Sequence, residues 1–139
     1  MCNSFKQELL GGVHDLDTDT IKIALIKSSQ SGTYNASTAN YSTVTGNSDE
    51  ATGTNYVTGG NTLGSATIAL SGSTATVDFA DTTWASATVS ADGCIIYNSS
   101  QANKAIAVIS FGGTKTSTNG DFVVQFPTAD ASNAIIRIA

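Results

Sequence analysis

Charged side chains are scarce in this sequence. Only 12% of the 139 residues are Asp, Glu, Lys or Arg, about half of the ~25% that is typical of soluble domains. Ser, Thr, Asn and Gly take their place. These small residues suit strands and turns, whereas helical surfaces favour Glu, Lys, Gln and Arg. The composition therefore favours strands over helices.

Basic residues are fewer than acidic ones. Six Lys and Arg stand against 11 Asp and Glu, which gives a net charge of −5. Binding to nucleic acid or to an anionic membrane surface depends on clustered Lys and Arg, and the sequence has no such cluster. No apolar run approaches the ~20 residues of a membrane-spanning helix. We therefore expect neither nucleic acid nor a membrane among the partners.

Histidine, the side chain that most often serves in catalytic relays, occurs once, as His14. A single histidine excludes multi-histidine metal sites and most His-based relays, and the sequence has no Gly-x-Ser-x-Gly elbow. We interpret His14 as a surface or helix-end residue. The sequence predicts no enzymatic activity, no catalytic or metal-binding residue and no cofactor.

Cysteine is also rare, with Cys2 and Cys94 as the only two. Met1 is followed by polar residues rather than an apolar segment, which argues against a secretory signal. We expect synthesis in a reducing cytoplasm, where the two thiols stay unpaired. Cys94 lies in an apolar run and is predicted to be a small core side chain. Cys2 is interpreted as an ordinary terminal thiol.

Three acidic residues, Asp15, Asp17 and Asp19, alternate before the first predicted strand. This spacing matches the opening of an EF-hand loop, but position six is Thr20 instead of Gly and position twelve is Ile26 instead of Glu. Solvated carboxylates that end a turn are the favoured interpretation. Calcium binding by these residues is left open.

A short helix is predicted near the start of the chain. Phe5 and Leu9 are four residues apart and Leu10 widens the apolar stripe, while Ser4 is a possible N-cap and Gly11 a natural stop. A helix of about two turns is too short to be stable alone in water. It must therefore dock on its own domain or on a neighbouring molecule.

Strands are predicted over the rest of the chain, apart from one long connection. Thr18–Lys27 reads as a strand with one inward and one outward face. Ser28–Thr62 reads as a long loop, and loops of this length often carry specific contacts. From Leu63 onward the pattern is dense, with a hairpin turn at Ser71–Ser73. We predict seven to nine short strands in a single all-β domain over 1–139, a β-sandwich or jelly roll, with a helical arm at 1–12 and a variable loop at 28–62.

Aromatic residues divide into core and contact candidates. Trp84 is predicted to pack in the core. Tyr34, Tyr41 and Tyr56 lie in the long loop, where they could anchor an interface. The helix supplies a second contact candidate through its apolar stripe. The candidate interface residues are therefore Phe5, Leu9, Leu10, Tyr34, Tyr41 and Tyr56.

Five segments in order resemble a family of small virion structural proteins of tailed bacteriophages, cyanophages among them: FKQELL (5–10), DTDTIKIAL (17–25), GTNYVTGG (53–60), TWAS (83–86) and NGDF (119–122). Together they cover most of the chain, with Ser28–Thr52 as the variable part. The resemblance implies a capsid decoration or cement protein, made in the host cytoplasm and located on the capsid surface, with no enzymatic residues. The implied partners are the major capsid protein and further copies of the chain itself, and a trimer is favoured by analogy with other capsid cement proteins.

Two other functions stay open at this point. A phage tail or baseplate structural protein would have the same fold class and composition. A carbohydrate-binding β-sandwich would use the tyrosines, the Asn- and Gly-rich loops and the acidic residues near 15–19. The low charge density suits the broad, weakly polar contact faces of a coat component.

Overall fold

Strands dominate the computed structural model, which describes residues 1–64 and 66–139. The strands form two antiparallel sheets, a larger one in the order β2-β1-β5-β6 and a smaller one in the order β3-β4-β7. The predicted all-β class with a short N-terminal helix is confirmed. The elements are α1 (Asn3–Leu10), β1 (Ile21–Lys27), α2 (Ser42–Gly46), β2 (Asn61–Thr62), β3 (Thr67–Ser71), β4 (Thr74–Asp78), β5 (Thr82–Asn98), β6 (Lys104–Val124) and β7 (Ile136–Ile138).

The long β5–β6 hairpin differs from the run of short strands that the sequence predicts. Lys115 pairs with Ala91 and Ser110 with Gly93, so four residues of β6 bulge out opposite one residue of β5. Gly112 and Gly113 take positive φ values of 71° and 139° within this bulge. The two glycines thus accommodate a bulge, and the strand continues beyond it.

Strand β1 is buried on both faces, whereas the sequence predicts one outward face. Ile23 and Leu25 face one side, and Ala24 on the other side is also fully buried. Gly60, next to β2 at the free edge of β1, approaches the backbone of Ile23 and Ala24 so closely that a Cβ would overlap it. Tyr41 of the same long segment (28–62) stacks on Tyr97, which pairs with Lys22 and so lies on the same face as Ala24.

Helix α1 begins earlier than predicted. Cys2 occupies the N-cap position without a side-chain hydrogen bond, and Ser4, the predicted cap, lies inside the helix. Cys2 is fully buried, not an ordinary terminal thiol, because its N–H donates to the Ile106 carbonyl at 2.8 Å and draws the chain start against β6. Burial raises the pKa of this thiol. Cys94 is buried as predicted, and both cysteines are free thiols.

Other sequence predictions hold in detail. Trp84 is buried. The Ser71–Ser73 hairpin is present, with Gly72 at φ +62° between β3 and β4. The long connection contains α2 and β2, and isolated bridges tie it to the larger sheet at Asn40 and Glu50. Most of this segment is therefore fixed against the sheet.

A substitution at Gly60 tests the close approach of this residue to the β1 backbone. Gly60→Ala places a Cβ against the Ile23 carbonyl and forces an L-residue into φ +70°. We expect a loss of about 3 kcal/mol or more in the free energy of unfolding, measured by urea titration.

Gly72→Ala is the matched control for this substitution. Gly72 has a similar φ of +62°, but no atom lies within 4 Å of its built Cβ. Its cost should be about 1 kcal/mol, which is that of the left-handed backbone alone. Equal losses at the two positions would contradict the close approach at Gly60.

Candidate functional site

Exposed apolar side chains concentrate in one region of the described chain. Six large hydrophobic side chains are exposed over residues 1–64 and 66–139. Four of these lie on α1 and the smaller sheet: Leu10 (92%), Ile68 (57%), Leu70 (76%) and Ile138 (49%). With the half-buried Leu9 they form what we term the α1–β3 patch. Contiguous exposed apolar surface of this kind marks interaction sites more often than chance exposure does.

Strand register explains why the smaller sheet has an apolar face. Ile68 pairs with Val77, which in turn pairs with Ile136, so these side chains form one row. Leu70, Ala75 and Ile138 form the next row on the same face. Alternation within each strand thus collects the large apolar residues of β3, β4 and β7 on one side.

Helix α1 and the α1–β1 connector cover only part of this face. A cavity of about 440 Å³ lies between these two segments and the smaller sheet, and its lining includes Leu9, Leu16, Ile68 and Ile136. Val77 and Ile136 are buried, whereas Ile68 and Leu70 toward the β3 edge stay exposed. The covered half belongs to the core and the uncovered half belongs to the patch.

A second cleft, of about 220 Å³, joins the helix end to the last strand. Its lining includes Leu9, Leu10 and Ile138, with Lys6 and Arg137 beside them. These two cations are a third of the six basic residues in the chain. The patch is therefore apolar at its centre and basic at one margin, on a molecule whose net charge is −5.

The predicted apolar stripe of α1 divides between core and surface. Phe5 is fully buried and packs against the His14 ring at a centroid distance of 4.9 Å. Leu10 is almost entirely exposed. Phe5 therefore fixes the helix to the domain, and only Leu9 and Leu10 of the stripe present surface to another molecule.

His14 is buried, which corrects the prediction of a surface or helix-end residue. Its Nε2 lies 3.0 Å from the Glu8 carboxylate and its Nδ1 lies 3.0 Å from the Asn98 amide nitrogen. Asn98 uses its Oδ1 to accept from the turn after β5 and its Nδ2 to donate to Asp19 at 2.6 Å. The imidazole Nδ1 is thus the acceptor, and Nε2 donates to Glu8.

Glu8 connects this network to the larger sheet. Its carboxylate also accepts from the Lys104 ammonium at the start of β6. Hydrogen bonds from Lys104 and His14 lower the pKa of Glu8, although burial acts in the opposite direction. The helix is therefore held by Phe5 on one side and by Glu8 on the other, which fixes the orientation of Leu10.

Tyr34, a predicted contact residue, bonds inside its own loop. Its hydroxyl donates to the Asp49 carboxylate at 2.6 Å, and the backbone N–H groups of Ser31 and Gly32 donate to the same group at 2.9 and 2.7 Å. Lys27 adds an ion pair at 3.1 Å. Burial acts to raise the pKa of Asp49, but these donors outweigh it and hold the pKa below its usual range.

Tyr41 and Tyr56 converge on the neighbouring carboxylate, Glu50. Tyr41 donates to one Glu50 oxygen, and Tyr56 donates to the other at 2.9 Å while accepting from the Leu25 N–H at 3.0 Å. Tyr41 also stacks on Tyr97 at 4.4 Å. Burial and the nearby Glu50 carboxylate raise the pKa of both hydroxyls, so they remain donors. All three loop tyrosines are half-buried.

The acidic turn makes hydrogen bonds of its own. The Asp15 carboxylate accepts from the Asp17 and Thr18 N–H groups at 3.2 and 3.3 Å, and Asp19 accepts from the Asp15 N–H at 3.0 Å. Over residues 1–64 and 66–139, no three His, Cys, Asp or Glu side chains are grouped so as to hold a metal ion. In the same ranges no helix is long and apolar enough to cross a membrane.

Part of the α1–β3 patch is predictable from the sequence. The helical stripe predicts Leu9 and Leu10 as contact residues. Ile68, Leu70 and Ile138 were missed because alternating apolar residues in a short strand are typical of a core-facing strand. The number of apolar strands is the feature of the sequence that indicates this exposure. One two-turn helix cannot cover the apolar faces of three strands.

No known protein family, curated protein or solved structure matches this chain.

Asp49 provides a test of the carboxylate that holds the loop. In Asp49→Asn the amide NH₂ faces groups that are themselves donors, so we expect a lower urea midpoint at pH 7. The folded pKa of Asp49 is lowered, so its contribution is fully present above the unfolded value of ~3.9 and is lost as the pH falls below that. The variant should therefore lose less stability than the wild type between about pH 5 and pH 2.

Asp17→Asn is the matched control, because Asp17 is exposed. Urea titrations of the three proteins across this pH range make the comparison. An Asp49→Asn variant with the same midpoint and the same acid dependence as the wild type would contradict the role of this carboxylate.

Proposed function

We propose that this chain is a virion structural protein that decorates and cements the capsid of a tailed phage, bridging subunits of the major capsid protein without catalysis. The observation that carries the proposal is the α1–β3 patch, an apolar contact surface held on a strand-rich body. The segments that resemble phage virion proteins suggest that the partner is a phage capsid. The α1–β3 patch is the surface that would contact it.

Rigidity supports this role. A cement protein must transmit the outward strain of a filled capsid without unfolding. The β5–β6 hairpin pairs over most of the 17 residues of β5, and the tyrosine–carboxylate contacts fix the long segment to β1. Backbone pairing and buried polar contacts of this kind resist local opening.

The charge distribution also suits a repeated coat component. Charged residues are few, and the exposed apolar part of the patch involves one helix and one side of a small sheet. Each such contact is modest in area. Many copies on a symmetric shell would still hold the capsomers together through multivalency.

A carbohydrate-binding function receives less support from the geometry. That alternative depends on exposed tyrosines as a stacking platform. Tyr34, Tyr41 and Tyr56 are half-buried, and their hydroxyls bind Asp49 and Glu50 of the same chain.

Location and copy number in purified particles test the proposal. With an antibody against this protein, we expect labelling over the whole head of the virion and hundreds of copies per particle. Labelling confined to the tail, with about a dozen copies or fewer, would support the tail or baseplate alternative instead. Absence from the particle would overturn both.

Leu10→Asp tests the contact surface. A carboxylate in place of this exposed leucine removes apolar contact area and loses its hydration at the interface, a cost that Lys6 and Arg137 beside it offset only in part. We expect binding to capsid shells that lack this protein to weaken about 30-fold or more, measured by co-sedimentation.

Val57→Asp is the control, since Val57 is 70% exposed and lies in the loop before β2, outside the patch. It should bind as the wild type does. Equal binding by Leu10→Asp and the wild type would exclude the helix end from the interface.

A further inference from the structure

Strand β3 is the least protected sheet edge in the described chain. Natural proteins protect edges by keeping them short or by placing charges, prolines or bulges on them. β3 has five residues in unbroken register with β4 and carries no charge, proline or glycine. Its residues Thr67–Leu70 are all exposed.

The other edges are protected or short. β2 has two residues and β7 has three. β6 is longer, but Cys2 occupies the edge at Ile106, and the four-residue bulge with Lys115 after it interrupts the rest. β3 is therefore the edge at which another strand can pair over a regular stretch.

The register identifies the backbone groups that this edge offers. The Ala69 carbonyl accepts from the Thr76 hydroxyl at 3.3 Å, so it points toward β4. In an antiparallel ladder the direction of the backbone groups alternates along the strand. The N–H and C=O groups of Ile68 and Leu70 therefore point outward, away from β4.

We propose that β3 pairs with β3 of a second copy of this chain, antiparallel about a two-fold axis that passes through Ala69. Ile68 then lies opposite Leu70 of the second copy, and four backbone hydrogen bonds form between the outward groups. The two smaller sheets become one sheet of six strands. A two-fold axis normal to the sheet keeps both apolar faces on the same side, so the four large side chains on β3 and its mate pack as cross-strand pairs.

The absence of charged residues on β3 leaves the edge open to a second copy of the chain. Two molecules of net charge −5 repel each other, but β3 is uncharged, so homotypic pairing places no like charges opposite one another. Pairing of β3 with β7 of another copy would use only the three residues of β7. The isologous arrangement uses all five residues of β3 and closes after two copies.

The small apolar area at this edge determines the expected affinity of the dimer. Ile68 and Leu70 expose 57% and 76% of their surface, roughly 500 Å² for two copies, and edge pairing buries only part of it, well below the ~1,200 Å² of a standard interface. The dimer should therefore be weak and concentration-dependent, with a dissociation constant in the micromolar range or above. It does not depend on the proposed capsid role, and it would replace the trimer expected by analogy.

Cysteine cross-linking tests the axis. Ala69 faces its own counterpart as a non-hydrogen-bonded pair with a Cα–Cα distance of ~4.5 Å, within the range of a disulfide. Ala69→Cys should form a covalent dimer under mild oxidation, because the native Cys2 and Cys94 are buried. Ala85→Cys, at an exposed position on β5, is the control for random collision. Equal cross-linking of the two variants would overturn the proposal.

Sedimentation of the full chain over a wide concentration range tests the edge itself. Ile68→Pro removes an outward N–H and leaves the hydrogen bonds to β4 in place, and Leu70→Lys puts a charge on the edge. We expect a wild-type dimer that each variant weakens at least tenfold. Val57→Lys should dimerise as the wild type does.

Far-UV circular dichroism and thermal unfolding confirm that each variant is folded. A wild type that stays monomeric at the highest concentration, a trimer, or a dimer unaffected by Leu70→Lys would each overturn the proposal. A wild type that forms no dimer but labels virion heads normally would refute this pairing alone and leave the capsid role standing.

Discussion

Two adjacent carboxylates hold the least regular part of this protein in place. Asp49 is buried and Glu50 is half-buried, and each accepts hydrogen bonds from tyrosine hydroxyls and from the backbone of the 28–62 segment. A buried carboxylate without such donors would be strongly unfavourable. The donors and the acceptors therefore depend on each other, and the segment can lie along β1 only when both are in place.

This constraint explains why β1 can be apolar on both faces. A strand with one solvent-facing side would carry polar residues there, but Ala24 and Ile26 are buried. The Tyr56 hydroxyl reaches the Leu25 N–H, and the Ala51 N–H reaches the Leu25 carbonyl. The segment thus extends the larger sheet along the free edge of β1, and Tyr41 stacks on Tyr97 at the sheet face.

The sequence was sufficient for the fold class because strand formation depends on local pattern and turn chemistry. The Ser71–Ser73 turn and the apolar run at Cys94 were both identifiable without partners. It was insufficient where the outcome depends on contacts distant in sequence. Buried His14 is hydrogen-bonded to Asn98, which lies 84 residues away, and no local pattern encodes that hydrogen bond. The positions of Tyr34, Tyr41 and Tyr56 likewise follow from Asp49 and Glu50 rather than from their own neighbours.

The same reasoning separates the parts of the candidate site. Leu10 was recognisable because a two-turn helix with an apolar stripe cannot bury all of it, and Phe5 takes the inward position. Ile68 and Leu70 have the alternation of a core strand, and only the sheet order reveals that β3 lies at an edge with its outer half uncovered. Low charge, which favours strands throughout this chain, also leaves that edge without the charged side chains that would keep another strand away. One compositional feature therefore both favours strands and leaves the β3 edge without charged side chains.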